Sequence, residues 1–213
     1  MNRTIAVKIL SGAVALAGLF VSLGWILGVP AFESILPIWP VMHFTTGVSF
    51  LLAGIAVYLI AELILEEKQE IAAVILPFVA PLILLAIGVL LAIDLFYPGS
   101  SLEGLFVQDV SHAAFAGTVG FPPVGSIVSF ILVSVITAFS LYDRDGLDLK
   151  LFLAGSIVSL TGGLALVGHF LNVPLLYYSL FGWSSAMPFN TAFLFLMLGT
   201  GMVLIQPSSS QKQ

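Results

Sequence analysis

Six stretches of the chain run for about 20 residues with scarcely a polar break: residues 8 to 28, 44 to 62, 72 to 96, 124 to 142, 151 to 171 and 189 to 206. At about 1.5 Å of rise per residue, a helix of that length covers the ~30 Å of hydrocarbon in a bilayer. The runs are apolar on every face and lack the two-residue alternation of a strand. In lipid, only a helix or a closed barrel satisfies its own backbone. The pattern therefore predicts an all-α protein, a bundle of six transmembrane helices.

The polar positions between the runs sort by side. All six basic residues flank alternate ends: Arg3 and Lys8 before the first run, Lys68 between the second and third, Arg144 and Lys150 between the fourth and fifth, Lys212 after the sixth. Lys and Arg beside a span stay cytoplasmic, so both termini are expected in the cytoplasm of a multi-pass plasma-membrane protein. The opposite segments, about 29 to 43, 98 to 123 and 172 to 187, carry no Lys or Arg but hold Glu33, Glu103, Asp109 and His112. A cleaved leader is the competing reading of the start, with Val29 and Ala31 at the small positions before a cut. The reappearance of the first run later in the chain argues against it.

Composition agrees, since 60% hydrophobic and 8% charged residues lie far outside the range of a soluble domain. The net charge of −5, shared among short loops, gives no reason to expect a nucleic-acid partner. With no cysteine, disulfides and thiolate metal sites are excluded.

The chain also repeats itself. Val14, Leu16, Gly18, Gly24, Leu27, Val29 and Pro30 recur as Val158, Leu160, Gly162, Gly168, Leu171, Val173 and Pro174 at an offset of 144, and Trp39 recurs as Trp183. After one inserted residue, Met42, Phe44, Thr46, Phe50 and Gly54 recur as Met187, Phe189, Thr191, Phe195 and Gly199. A weaker third copy lies between them: Pro98 follows its run as Pro30 and Pro174 follow theirs, and Pro123, Ser126, Phe130 and Ser134 fall where Pro188, Thr191, Phe195 and Gly199 sit. The expected organisation is one membrane domain, residues 1 to 213, of three parallel helical hairpins. Their bounds are about 8 to 62, 72 to 142 and 151 to 206, with a flexible tail over 207 to 213.

The segments on the non-basic side, such as VPAFESILPIWPVMH and NVPLLYYSLFGWSSAMP, are apolar and aromatic, which predicts short helices in the headgroup layer. Pro123 and Pro188 suit the first turn of the helix that returns inward. Polar residues inside the runs are few. Asp94, His169 and Trp25 stand four or five residues before Pro98, Pro174 and Pro30, and so at nearly one depth. His43 opens the second run and can join them. An outward-open pocket between the hairpins, with Asp94, His169, Trp25 and His43 as ligand-binding residues, is the site the sequence proposes. The rival is that these groups only anchor the interface or bond a neighbouring helix.

No metal and no cofactor is expected, because His43, His112 and His169 come from three different repeats without a close-spaced pair. Catalysis is not expected either. Asp109, Ser111 and His112 are neighbours in sequence, which is not triad geometry. Six spans with a serine resemble rhomboid-type intramembrane proteases in span count, but Gly182, Trp183, Ser184 and Ser185 lack the closing glycine of their motif. A transport path needs polar groups on both sides of the midplane, and here the inner part of every run is apolar.

The strings ILPIWPVMHFTTGVSFLLAGI (35 to 55) and VPLLYYSLFGWSSAMPFNTAFLFLMLGTGMVL (173 to 204) resemble the multi-span integral-membrane sensor regions that precede PAS and histidine-kinase domains in archaea and bacteria. The resemblance covers nearly the whole chain and implies a prokaryotic signal-input module with no chemistry of its own, without defining ligand residues. It departs at IQPSSSQKQ, where Pro207 and the serines break the helix that would lead onward. A separate cytoplasmic signalling protein is then the expected partner, besides the lipid bilayer itself. The alternative is a non-catalytic structural or accessory subunit held among other membrane subunits.

Overall fold

Each apolar run folds as a helix, and polar ends extend several of them. The computed structural model describes residues 3–32, 40–65, 69–96, 123–142, 146–179 and 185–205. These form α1 (Arg3–Leu27), a single 3-10 turn (Pro30–Phe32), α2 (Phe44–Leu65), α3 (Gln69–Phe96), α4 (Val124–Tyr142), α5 (Leu147–Leu171) and α6 (Phe189–Leu204). No strand occurs among the described residues. Four helices, α1, α2, α4 and α5, are long and apolar enough to cross a membrane. The other two are apolar over shorter described lengths, Val74–Gly88 within α3 and Phe189–Leu204.

Two left-handed residues cut helices off at matching points. Gly28 (φ 64°) follows α1 and Asn172 (φ 53°) follows α5. In each case the next N–H reaches back five residues, Val29 to the Gly24 carbonyl and Val173 to the Gly168 carbonyl, both at 2.9 Å. This is the closing pattern that satisfies the last open carbonyls of a helix. Beyond it Pro30–Phe32 form the short 3-10 helix, while residues 173–179 make turns in place of the expected interfacial helix. Leu176 N–H donates to Val173, Tyr178 N–H to Leu175 and Ser179 N–H to Pro174. Pro30 and Pro174 stand two residues past the left-handed position, where the missing N–H and fixed φ favour a turn.

Helices adjacent in sequence pack against one another, and α1 packs on α6, which closes the ring. The innermost helix is α2, whose described residues include none in the exposed class. The outward faces of α1, α3, α4 and α5 keep large apolar side chains, among them Leu16, Phe78, Ile131 and Leu160. A belt of that kind is unstable against water and suits lipid.

Within the pairs α1–α2 and α5–α6 the backbones touch. A Cβ on Gly18 would sit 2.5 Å from the Gly47 carbonyl oxygen and against the Leu51 nitrogen. On Gly162 it would sit 2.5 Å from the Leu196 nitrogen and against the Ala192 carbonyl. Gly54 and Gly199 return the contact from the partner helix, against Ser11 and Ala15 in the first pair and Gly155 and Ser159 in the second. In lipid, where apolar contact with a neighbour gains little over contact with acyl chains, this close approach is what holds helix to helix. The α3–α4 contact uses another device: Ser134 Oγ donates 2.6 Å to the Ala80 carbonyl, in the α3 turn between Pro77 and Pro81.

At the centre α2, α4 and α6 converge on three buried phenylalanines. Phe50, Phe130 and Phe195 have ring centroids 4.7 to 4.9 Å apart in tilted or edge-on pairs, the arrangement their quadrupoles favour. The charged side chains among the described residues, Arg3, Lys8, Glu62, Asp148 and Lys150, lie at the end where α1 and α5 begin and α2 stops. Lys8 Nζ pairs with Glu62 Oε1 at 3.2 Å and lies 5.4 Å from the Tyr58 ring centroid, tying the start of α1 to the end of α2.

Candidate functional site

The opposite, far end is where α2, α4 and α6 begin. Pro123 immediately precedes α4, and Pro188 is the N-cap of α6, one residue earlier than the first helical turn the sequence suggested. Both prolines serve the same purpose there, since their carbonyls accept the first amide donors of the helix.

Hydroxyl groups behave differently at this end from elsewhere. Throughout the bundle a buried Ser or Thr donates to a carbonyl one turn back: Ser11 to Val7 at 2.7 Å, Ser22 to Gly18 at 2.8 Å, Thr137 to Val133 at 2.7 Å. That is the ordinary way an apolar helix accommodates a hydroxyl. Four do not do so. Thr45 Oγ1, Ser126 Oγ, Ser129 Oγ and Thr191 Oγ1 are buried without a hydrogen-bond partner, and all lie in the first two turns of α2, α4 or α6. An unpaired buried hydroxyl costs about 1 to 3 kcal/mol, so four at one place need a reason.

Two of the four line a cleft. Thr45, Thr46 and Ser49 of α2 form one wall, Ser126 and Ile127 of α4 the other, with Ile87 of α3 beside them, Pro123 at the rim and Phe130 as the floor. The cavity between them, about 10 Å³, holds about one oxygen-sized group. Ser49 is already committed, its Oγ donating 2.8 Å to the Thr45 carbonyl. Thr45 Oγ1 and Ser126 Oγ therefore supply the open donor and acceptor capacity. No charged side chain lines the cleft among the described residues.

The residues singled out in the sequence fall around this site. Trp25 is fully buried and donates from Nε1 to the Met42 carbonyl at 2.8 Å. His169 stands at the matching place in the other pair: Nε2 bonds the Met187 carbonyl at 2.8 Å, and the ring stacks on Tyr177 with centroids 4.6 Å apart. Each thus ties the end of one helix to the segment entering the next. His43 precedes α2, half-buried, and its carbonyl accepts the Gly47 N–H at 3.0 Å. None of the three lines the cleft. Asp94 is on α3, but its side chain lies outside the described residues; by helical register position 94 falls two turns beyond Ile87 on the stripe of Leu76 and Ile83.

The segment after α5 folds back over this end and joins two hairpins. Tyr178, with a left-handed φ of 62°, puts its ring against Gly125 of α4 and its hydroxyl 3.5 Å from the Thr161 carbonyl of α5. Sequence reasoning missed the cleft itself. Its signal was a hydroxyl residue one turn before each central phenylalanine: Thr46 before Phe50, Ser126 before Phe130, Thr191 before Phe195. No known protein family, curated protein or solved structure matches the chain.

Proposed function

We propose that this protein is a membrane-embedded signal-input module that binds an apolar or amphipathic ligand at the far end of the bundle and transmits occupancy as a change in packing between hairpins. The chain spans the membrane six times with its basic flanks and both termini on the cytoplasmic side, the cleft opens toward the other side, and the module carries out no reaction of its own. The three hairpins are copies of one unit. The shared close approaches at Gly18 and Gly162, the shared helix ends at Gly28 and Asn172, and the like bonds from Trp25 and His169 support that duplication.

One observation carries the functional reading: a cleft holding two unpartnered buried hydroxyls has its walls on two different hairpins, α2 on one side and α3 with α4 on the other. Each hairpin is interlocked internally, through backbone contact or the Ser134 bond, so a group wedged between two of them moves them as units. A preference of about 1 to 3 kcal/mol for one packing over the other is enough for useful coupling. The absence of cysteine makes the test direct. Spin labels at Ile9→Cys and Val135→Cys report between the first and second hairpins, and labels at Leu153→Cys and Phe193→Cys report within the third; all four positions are exposed. Adding a total lipid extract of the source membrane is expected to shift the first distance distribution and leave the second in place. If both stay fixed, the module does not couple binding to packing.

A further inference from the structure

Building on that reading, we infer that the group seated in the cleft is a single uncharged oxygen, the hydroxyl or carbonyl head of a neutral amphipath, held between Thr45 Oγ1 and Ser126 Oγ. Both side chains are more than nine-tenths buried and both oxygens lack a partner. Each hydroxyl can donate one hydrogen bond and accept two, so together they match a head that donates, accepts or does both. Among the described lining residues nothing matches a charge. A carboxylate, phosphate or ammonium head placed among Ile87, Ile127 and Phe130 would lose its hydration and meet no counter-ion among the described lining residues, which costs several kcal/mol per ion. A bare hydrocarbon end would leave the two hydroxyls as unsatisfied as before. Room for about one oxygen-sized group between the two hydroxyls suits a single oxygen, while the aliphatic side chains beside it suit the first carbons of a chain.

The full chain in phosphatidylcholine nanodiscs provides the test, with thermal midpoint read against added 1-dodecanol, dodecanoate, dodecylammonium, dodecane or dioleoylglycerol. The expected result is a saturable rise with an alcohol-headed probe and none with the charged or headless ones. Response to dioleoylglycerol alone identifies a bilayer lipid as the source, and response to dodecanol alone a freely diffusing alcohol; either supports the head chemistry. Thr45→Val and Ser126→Ala each remove a hydroxyl at nearly constant shape and are expected to weaken the response about three- to tenfold. Thr45→Ser keeps the hydroxyl and is expected to retain it, which separates recognition from packing. A dodecane or dodecanoate response as strong as that of dodecanol overturns the inference, as does a dodecanol response unchanged in the double variant, or one that requires sodium. In those cases a hairpin displacement by lipid extract would still stand, so the two ideas fail separately.

Discussion

Replacing Gly162 by Ala adds one methyl group where α5 lies on α6, and the neighbouring Gly163 supplies its own control. At Gly162 the new carbon would be 2.5 Å from the Leu196 nitrogen and 3.0 Å from the Phe195 Cβ, whereas ordinary contact begins at 3.4 Å. The crowding atoms include backbone of α6, the Ala192 carbonyl closest of all, fixed by its own hydrogen bonds, so relief requires the helices to part by at least about 0.9 Å, the difference between 2.5 and 3.4 Å. A gap of that size forfeits about a third of each contact's attraction; over roughly 40 carbon pairs at about 0.15 kcal/mol each, the loss is about 2 kcal/mol. Alanine's better helix propensity returns up to about 1 kcal/mol. The net destabilisation is about 1 to 2 kcal/mol, in line with other overpacked sites. At Gly163 the new carbon meets only Leu196 Cδ1 at 3.8 Å, so the propensity gain stands alone and the variant is expected to be slightly stabilised. Thermal unfolding in mild detergent, followed by tryptophan fluorescence, should place Gly162→Ala below the parent and Gly163→Ala at or above it. Gly18→Ala should repeat the loss in α1, where the crowding is the same. Equal midpoints for Gly162→Ala and Gly163→Ala would refute the interlocked helix pair.

The unpaired hydroxyls predict a gain from removing function: Thr45→Val and Ser126→Ala should each raise the unfolding free energy of the ligand-free chain by about 1 kcal/mol. Ser11→Ala, which deletes a hydroxyl already bonded to Val7, should leave it unchanged or slightly lower it, and a denaturation series compares the three. Trp25→Phe should cost about 2 to 4 kcal/mol, because it leaves a cavity and strips the Met42 carbonyl of its donor. His169→Phe should cost less, about 1 kcal/mol, since that side chain is half-exposed and a phenyl ring can keep the stack on Tyr177. A double-mutant cycle with Lys8→Met and Glu62→Gln should return a coupling of no more than about 1 kcal/mol that falls with added salt, as both groups are partly open to solvent.

The helices were legible because a run of apolar residues on all faces admits one structure in lipid. Their ends were less so: α1 begins at Arg3 and α5 at Leu147, ahead of the apolar runs, because polar residues continue a helix out of the hydrocarbon without penalty. The turns at 173 to 179 were hidden for a related reason. An apolar aromatic segment reads as an interfacial helix until Asn172 and Pro174 are weighed as local backbone constraints. The alignment that set Trp25 and His169 at one depth pointed to residues that do share a role, but their partners are backbone carbonyls, which leave no trace in a sequence. The cleft was the hardest part to see. A Ser or Thr in an apolar helix normally bonds its own backbone, and only the geometry distinguishes Ser22, which does so, from Thr45 and Ser126, which do not.

The most direct test of the ligand site is photolabelling of the full chain in nanodiscs with a diazirine-bearing long-chain alcohol, the adducts being mapped by mass spectrometry. Labelling is predicted to concentrate on residues 45–49 and 123–130, to be displaced by excess 1-dodecanol, and to fall in the Thr45→Val, Ser126→Ala double variant. Adducts spread along the lipid-facing stripes, at Leu16 and Leu160 as readily as at Thr45, and indifferent to competitor, would contradict it.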